Sequence, residues 1–300
     1  MTLQELWKEG NQILSGAGIP EARLDARYLL EWASGQDHSF LLLHPEHTVA
    51  EEVVQSYRNA IRQRCHHMPL QYITGEQEFM GLSFRVNESV LIPRQDTELL
   101  VEMVLEHLHR QPAKPVRILD MCCGSGCIGL SLWLLAEGNR DQMRMAELKK
   151  PGGEPYPVVL ADVSPEALQV ARENATRLHA DVSIVESDIW NHISGRYGII
   201  VSNPPYIPSH VVDTLMPEVQ QYEPRLALDG AEDGLSFYRR IIEQADGYLE
   251  EDGYVFFEIG FDQADDVRQI LVGAGFEEVT VKQDLAGLDR VIYARKGREM

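Results

Sequence analysis

The stretch "ILDMCCGSGCIGLSLWLL", residues 118–135, joins two apolar runs through a turn of small residues. The first run has the length of a buried strand, and the second has the length of a buried helix. Gly124 and Gly126 lie in the turn, where a missing Cβ lets the backbone approach a ligand closely. A tight strand–helix connection without any ligand explains the same glycines, so this stretch predicts a fold class before it predicts a site.

Strands and helices continue to alternate after this unit, which predicts a mostly parallel sheet covered on both faces. The last two strand candidates are joined only by Leu285–Leu288, too short for a crossover, so they form an antiparallel pair. This layout is typical of the α/β, Rossmann-like fold of class I S-adenosylmethionine-dependent methyltransferases, with seven strands. The candidate strands are "VRILDM", "PVVLADV", "VSIVES", "YGIIVSN", "GYVFFEIG", "EEVTVKQD" and "DRVIYARK".

The region before the sheet predicts a separate small domain. Residues 1–70 read as helices, one of them carrying Leu24, Tyr28, Leu29 and Trp32 at helical spacing. Residues 71–92 alternate in polarity and contain glycines, which predicts a β-hairpin connector. The catalytic domain is then expected over 93–300.

Two local features complete the domain plan. Asp96 is expected to cap the first helix of the catalytic domain, with Glu98 in its first turn, and Ser164 is expected to cap a later helix. The charged stretch Glu137–Pro157 fits no element of the sheet and is interpreted as an exposed insertion or a helix extension.

Composition narrows the class of protein. The formal net charge is −20, which argues against a protein that holds a nucleic-acid backbone by charge. The N-terminus lacks a signal-peptide pattern, and no apolar run reaches the roughly 18 residues that a membrane span needs. We expect a soluble cytoplasmic protein that binds no membrane and acts as a monomer.

Two further strand ends favour a nucleoside site beside the glycine turn. Asp162 ends the second strand, where a carboxylate can accept hydrogen bonds from ribose hydroxyls, although capping the next helix is the alternative. Asp188 and Ile189 follow the third strand and could line an adenine pocket. The order of turn, ribose acid and adenine site favours S-adenosylmethionine over NAD, because the turn is not G-x-G-x-x-G.

The cysteines do not predict a metal site. Cys122, Cys123 and Cys127 are clustered, but adjacent cysteines rarely share one tetrahedral ion, and no His or Cys pair at ligand spacing completes a site. Small side chains packed in a tight turn explain them better.

The stretch "IIVSNPPYIP", residues 199–208, predicts the reaction type. Prolines lack an N–H, so they break the strand and leave carbonyls free to accept hydrogen bonds. Asn203 adds a side-chain carbonyl, and Tyr206 can stack on a planar amide or base. These groups suit a planar –NH2 nucleophile facing a methyl sulfonium, although an ordinary turn would use the same residues.

The chain resembles the HemK/PrmC family of release factor glutamine methyltransferases. The resemblance rests on "SNPPYI", "PLQYITGEQEFMGLSFRVNESVLIPRQDTELL", "EPRLALDGAEDGL", "FFEIG" and "DLAGLDRVIYARK", and it covers nearly the whole chain. It implies a protein-(glutamine-N5) methyltransferase that uses S-adenosyl-L-methionine. Its partners would be bacterial class 1 peptide chain release factors, methylated on the glutamine of their Gly-Gly-Gln motif.

The resemblance also implies roles for individual residues. The glutamine amide would be held by Asn203, Pro204, Pro205 and Tyr206, which carry the catalysis. The cofactor would be held by Cys122, Cys123, Gly124, Ser125, Gly126, Asp162, Asp188, Ile189 and Asn203. The matched "PRQDTE" places Arg94, Asp96 and Glu98 at the site entrance. At positions 122 and 123 the family usually has glycine and threonine, so the contacts of this loop depart from the family pattern.

Two other functions fit the same pocket. A nucleic-acid amino-methyltransferase acting on adenine or guanine shares the Asn-Pro-Pro-Tyr motif, but it would need a phosphate-binding surface and a flipped base. A non-catalytic module with a decayed cofactor site is opposed by the intact motif and by Asp162.

Overall fold

The computed structural model describes residues 1–110, 116–136 and 156–297, which form two compact units. The first unit comprises Met1–Glu76 and Met216–Tyr222, and the second comprises Gln77–Leu215 and Glu223–Met300. Most of the predicted insertion, Glu137–Pro157, lies outside the described residues. None of the helices in the described part of the chain is long and apolar enough to cross a membrane.

The first unit is helical. Its helices are α1 (Leu3–Gly16), α2 (Ala22–Ser34), α3 (His38–Leu43), α4 (Glu51–Cys65), α5 (Leu70–Thr74) and, from the second segment, α10 (Pro217–Tyr222). Leu6, Leu29 and Tyr57 are fully buried where α1, α2 and α4 pack together. A buried ion pair joins two of these helices, because Arg64 Nε donates to Asp25 Oδ2 over 2.6 Å.

The apolar face of α2 differs from the one that the spacing of large side chains indicated. Leu24, Tyr28 and Trp32 are 36%, 41% and 44% exposed, while Leu29 is buried. The buried residues are Ala22, Asp25, Ala26, Leu29 and Leu30, and Asp25 pairs with Arg64. Two large aliphatic side chains are therefore buried together with alanines and one ion pair, while the larger aromatic side chains stay partly exposed. The helix itself is confirmed.

The second unit contains a seven-stranded sheet, and this part of the fold prediction is confirmed. Its strands are β3 (Ile118–Met121), β4 (Val158–Asp162), β5 (Ser183–Glu186), β6 (Tyr197–Ser202), β7 (Leu249–Glu258), β8 (Glu277–Gln283) and β9 (Asp289–Arg295). The order is β5-β4-β3-β6-β7-β9-β8. Six strands run in the same direction, and β9 is antiparallel to both of its neighbours.

Helices cover both faces of the sheet. They are α6 (Glu98–Arg110), α7 (Cys127–Leu135), α8 (Pro165–Arg177), α9 (Ser209–Val212), α11 (Ser236–Tyr248) and α12 (Ala264–Gly273). Successive residues of β3 belong to hydrophobic clusters on opposite faces of the sheet. Ile118 is in the cluster with α6, α7 and α8, and Leu119 is in the cluster with α11 and α12. Burial on both faces explains why the central strands are continuous apolar runs. Ser164 caps α8 as predicted, accepting from the Ala167 N–H.

The β-hairpin consists of β1 (Glu76–Phe79) and β2 (Leu82–Arg85). Met80 and Gly81, its two turn residues, have φ angles of +54° and +75°, as a two-residue type I′ turn requires. Both strands lie inside the range 71–92, which begins within α5. The division of the chain at residues 70 and 92 stays a prediction.

Asp96 does not cap α6, so that prediction is wrong. Gln95–Thr97 form a turn of 3₁₀ helix that leads directly into α6, and the Asp96 carboxylate pairs with Arg290 over 3.3 Å. Glu98 does lie in the first turn, but its carboxylate accepts the N–H of Met80 in the hairpin turn over 2.6 Å. Both carboxylates are therefore used by tertiary contacts, which a local sequence pattern does not reveal.

Candidate active site

The register of the sheet brings the ends of three strands together. Met121, the last residue of β3, lies opposite Ala161 of β4 and Ser202 of β6. The Ser202 hydroxyl donates to the Met121 carbonyl over 2.6 Å and locks the two strand ends to each other. The chain leads from β3 outward to β4 and β5 and then returns to β6 on the other side, which makes this a topological switch point, where ligands bind in such sheets.

A cleft of about 970 Å³, open solvent at its mouth included, lies at this edge. Most of the predicted cofactor residues line it, but Gly126 does not. Those that do are Cys122, Cys123, Gly124, Ser125, Asp162, Asp188, Ile189 and Asn203. Among the lining residues without a prediction are Thr97, Ile128, Ser187, Leu226 and Phe237.

The glycine loop uses backbone conformations that most residues avoid. Gly124 has a φ of +52° and open space where a Cβ would lie, so the bare backbone faces the cleft. Gly126 serves packing instead, because a Cβ there would lie 3.1 Å from side-chain atoms of Leu130 and Leu160. Cys122 adopts a φ of +60°, the conformation that glycine accepts most readily, so this loop keeps the backbone shape that a glycine would give it.

Asp120, near the end of β3, is joined to α7 by a buried hydrogen bond. Its Oδ2 atom accepts the Gly129 N–H of α7 over 2.8 Å, and its side chain is fully buried. Burial is the main reason that the pKa of Asp120 is raised to about 8, with the nearby Asp162 charge adding to it. The apolar strand pattern around Asp120 hid this role from the sequence analysis.

Asp162 holds the loop and still faces the cleft. Its Oδ2 accepts the Gly124 N–H and its Oδ1 accepts the Ser164 N–H, each over 2.9 Å. A carboxylate offers about four acceptor positions, so acceptor capacity remains for a ligand. Burial raises the pKa of Asp162, while the backbone N–H groups around it lower it. The same side chain therefore braces the start of α8 and lines the site.

Asp188, which follows β5, already has an ion-pair partner. Asp188 Oδ1 accepts from Arg240 Nη2 over 2.6 Å, at the solvent-exposed side of the cleft. Ile189 is buried and has a φ of +52°, an unusual conformation for a β-branched residue. Strain of this kind concentrates at functional sites, where the surroundings hold it in place.

The four residues of the Asn-Pro-Pro-Tyr motif do not all face the cleft. Asn203 and Pro205 line it, Pro204 is buried, and Tyr206 points its hydroxyl at Glu258 Oε1 over 3.2 Å. Burial is the main reason that the pKa of Tyr206 is raised, so the phenol stays protonated. Within the described part of the chain, the carbonyls of Pro204 and Pro205 accept no hydrogen bond.

The backbone of this motif is clamped by a glycine-rich loop. Gln263 Nε2 donates to the Tyr206 carbonyl over 2.9 Å. A Cβ on Gly230 would lie 2.8 Å from Tyr206 Cα, and a Cβ on Gly234 would lie 2.3 Å from the Tyr206 oxygen. Both glycines belong to "EPRLALDGAEDGL", whose glycine spacing was the available signal. No role for these two glycines or for Gln263 was predicted from the sequence.

Two charged residues of "PRQDTE" form ion pairs with later parts of the chain. Arg94 lines the cleft and pairs with the buried Glu223, next to the lining residue Pro224. Arg290 pairs with Asp96 and also with Asp284 over 3.1 Å. Of the three charged residues of "PRQDTE", Arg94 lines the cleft, Asp96 pairs with Arg290, and Glu98 anchors the hairpin turn.

The cysteines belong to the packing of the loop. Cys123 and Cys127 are buried, and burial raises the pKa of Cys127 to about 12, so it is a neutral thiol. Across residues 1–110, 116–136 and 156–297 there is no group of three or more His, Cys, Asp or Glu side chains that could hold a metal ion.

Comparisons with known proteins agree along the whole chain. Residues 5–75 match the PrmC N-terminal domain, and residues 95–218 match the methyltransferase small domain. The release factor glutamine methyltransferase of Clostridium botulinum is 38% identical over 301 residues, covering 99% of this chain and 100% of the relative.

Two solved structures extend the comparison. The protein-(glutamine-N5) methyltransferase (release factor-specific) of Alicyclobacillus acidocaldarius is 30% identical, with a TM-score of 0.39 and coverage of 72% of this chain and 100% of that one. The hMettl16 catalytic domain in complex with an RNA hairpin has a TM-score of 0.52 at 15% identity, covering 85% and 84%. The second likeness shows the fold alone.

Proposed function

This chain belongs to the release factor glutamine methyltransferases, and we propose that it methylates the glutamine of the Gly-Gly-Gln motif in bacterial class 1 peptide chain release factors. The methyl group would go to the side-chain amide nitrogen, N5. The observation that carries the proposal is the juxtaposition of Asn203 with the glycine loop at one edge of the sheet. A hydrogen-bond acceptor for an –NH2 group thereby lies beside a nucleoside-type site.

The residues at the edge fit S-adenosylmethionine, the methyl donor of this enzyme class. The Gly124 backbone is bare towards the cleft, which leaves room for the methionine portion of the cofactor. Asp162 keeps acceptor capacity after its backbone contacts, which suits the hydroxyls of a ribose. We propose that Cys122–Gly126 shape the loop, with Asp188 and Ile189 on the adenine side. Arg240 already occupies one Asp188 oxygen, so the other would receive the adenine amino group.

S-adenosylmethionine supplies an electrophilic methyl group on a sulfonium. The protein has to position a nitrogen whose lone pair is delocalised into the amide and is therefore poorly nucleophilic. The Asn203 Oδ1 atom and a free carbonyl of the proline pair would accept the two amide hydrogens. Drawing those hydrogens out of the amide plane frees the lone pair, and in-line placement lowers the barrier further. The proton can leave to solvent after transfer, so no general base is needed before attack.

The net charge of the chain favours a protein substrate over a nucleic acid. The formal net charge of −20 disfavours a nucleic-acid substrate, because the phosphate backbone would be repelled. We propose that the enzyme binds no nucleic acid, acts as a monomer and works in the cytoplasm, where translation takes place. The helical residues 1–70, the hairpin region 71–92 and the catalytic residues 93–300 are proposed as its three parts.

Methyl transfer with labelled cofactor tests the function directly. The acceptors are a purified bacterial class 1 release factor, its Gly-Gly-Gln variant with Gln→Ala, DNA and RNA. We expect label on the unmodified release factor alone. The Asn203→Ala variant should lose at least about 100-fold in rate and still bind the cofactor, measured by calorimetry. Label on nucleic acid without label on the release factor would refute the proposal.

A further inference from the structure

A buried carboxylate lies behind the acceptor motif and outside the lining of the cleft. Glu258 ends β7 and is 2% exposed. Its backbone carbonyl accepts from the Tyr238 hydroxyl over 2.8 Å, which fixes the end of the strand. Among residues 1–110, 116–136 and 156–297, its Oε2 atom has no hydrogen-bond partner. A buried polar atom costs free energy unless it is hydrogen-bonded.

Two hydroxyl groups approach this carboxylate. The Tyr206 hydroxyl donates to Glu258 Oε1 over 3.2 Å. Thr97 is 2% exposed, and its hydroxyl is close enough to Glu258 to lower the pKa of that carboxyl group. Burial is the largest influence on the pKa of Glu258 and raises it, while Thr97, the Arg290 charge and Tyr206 lower it, in that order. Towards an ionised carboxylate, which has no hydrogen to give, a hydroxyl can act only as a donor.

The Thr97 hydroxyl also contacts Asn203. Asn203 Nδ2 lies 3.3 Å from Thr97 Oγ1. A Thr97 hydroxyl that gives its only hydrogen to Glu258 can only accept from Asn203. In that arrangement the Asn203 amino group faces Thr97, as the 3.3 Å contact has it, and the side-chain carbonyl faces the cleft. The two ends of an asparagine amide have the same shape, so the hydrogen-bond partners alone decide which end faces a ligand.

We propose that Thr97 and Glu258 are positioning residues that fix the polarity of the acceptor site. The chain of donors runs from Asn203 to Thr97 to Glu258, and Tyr206 donates to the same carboxylate. With the Asn203 amide reversed, its amino group would meet the amino group of the substrate, and both would be donors. This inference rests on the proposed function, because it requires an –NH2 group as the substrate.

The matched variants Thr97→Ser and Thr97→Val test this chain. Serine keeps the hydroxyl, and valine keeps the shape but removes it. Thr97→Val should lower kcat for the release factor by about tenfold, the rate equivalent of one hydrogen bond, while Thr97→Ser should stay within about twofold of the unchanged enzyme. KM for the release factor and cofactor affinity by calorimetry should remain unchanged in both, which a general loss of structure would not allow.

Glu258→Gln provides a second test that does not depend on the folding of Thr97→Val. The glutamine keeps the volume, but its amino group must face one of two hydroxyls that are donors in the unchanged protein. We expect a decrease in kcat of about tenfold or more, with unchanged cofactor affinity. In the double variant, adding Thr97→Val to Glu258→Gln should lower kcat by less than about a further twofold, because both residues act through the same end of Asn203.

The outcomes separate this inference from the proposed function. If the unchanged enzyme does not methylate the release factor, the proposed function fails and the inference fails with it. If the enzyme is active and Thr97→Val turns over as fast as Thr97→Ser, only the inference is wrong. Fully multiplicative losses in the double variant would also overturn it, because they would show that the two residues act separately.

Discussion

The clamp on the Asn-Pro-Pro-Tyr backbone leads to a sharp prediction for Gly234→Ala. Gly234 has a φ of +74°, and a Cβ there would lie 2.3 Å from the Tyr206 oxygen and 2.7 Å from Gln263 Nε2. Real contacts of this kind rarely fall below about 3 Å, so the tyrosine carbonyl has to move by the better part of an ångström. That movement breaks the hydrogen bond from Gln263, which spans 2.9 Å.

Two effects set the magnitude. A non-glycine residue in the left-handed region costs about 1–2 kcal/mol, and overpacking costs about 1–3 kcal/mol, so Gly234→Ala should lower the free energy of unfolding by about 2–5 kcal/mol. A displacement of about 1 Å at a reacting group can cost about 100-fold in rate. Methyl transfer should therefore fall by about 100-fold even at temperatures where the variant is fully folded.

The matched control is Gly247→Ala in α11. Gly247 is exposed, and nothing lies within 4 Å of the position that a Cβ would take. Alanine favours a helix over glycine by up to about 1 kcal/mol, so this variant should be as stable as the unchanged protein or slightly more stable. Urea unfolding and labelled methyl transfer, both at 25 °C, compare the two variants. If Gly234→Ala matched Gly247→Ala in stability and in rate, the clamp would play no part in positioning the motif.

Three further predictions concern the cofactor site and the helical unit. Asp162→Ala should weaken cofactor binding in calorimetry by at least about tenfold, because two ribose acceptors are lost; unchanged affinity would remove Asp162 from the site. Folding raises the pKa of Asp120 to about 8, so the stabilisation from its proton is lost as pH rises towards that value. Between pH 5 and 8, the free energy of unfolding of the unchanged protein should therefore fall with pH more steeply than that of Asp120→Asn, by up to about 1.4 kcal/mol per pH unit. If urea unfolding gave the same pH dependence for both proteins, this prediction would be wrong. Arg64→Met leaves the buried Asp25 without its partner and should lower the free energy of unfolding in urea by about 3–5 kcal/mol. Arg110→Met removes one partner of an exposed ion pair and should change the free energy of unfolding little. Equal effects of the two variants would argue against a buried pair.

Much of the sheet and of its ligand edge follows from local sequence. Alternating strands and helices indicate a parallel sheet, and the four-residue link Leu285–Leu288 indicates the antiparallel end, both of which are confirmed. The carboxyl ends of parallel strands share one edge, so residues that follow different strands can be placed together without a structure. Cys122, Asp162 and Asn203 do line one cleft.

Predictions that depended on distant partners were less successful. Asp96 has the composition of a helix cap, but a better partner, Arg290, lies almost two hundred residues away in sequence. Leu24, Tyr28 and Trp32 have the spacing of a core face, but they are exposed. In both cases the outcome depends on contacts with distant parts of the chain, which a local sequence pattern does not contain.

The sequence by itself determined the element order, the glycine loop, the acidic strand ends and the Asn-Pro-Pro-Tyr motif, because strand ends and turns are local properties of the chain. Only the tertiary structure decided which side of each group faces the site. Thr97 and Glu258 reach Asn203 and Tyr206 from separate elements, and Gly234 meets the Tyr206 backbone after a loop of more than twenty residues. The direction of a hydrogen bond and the room for a Cβ depend on these meetings, so they appear only once the chain is folded.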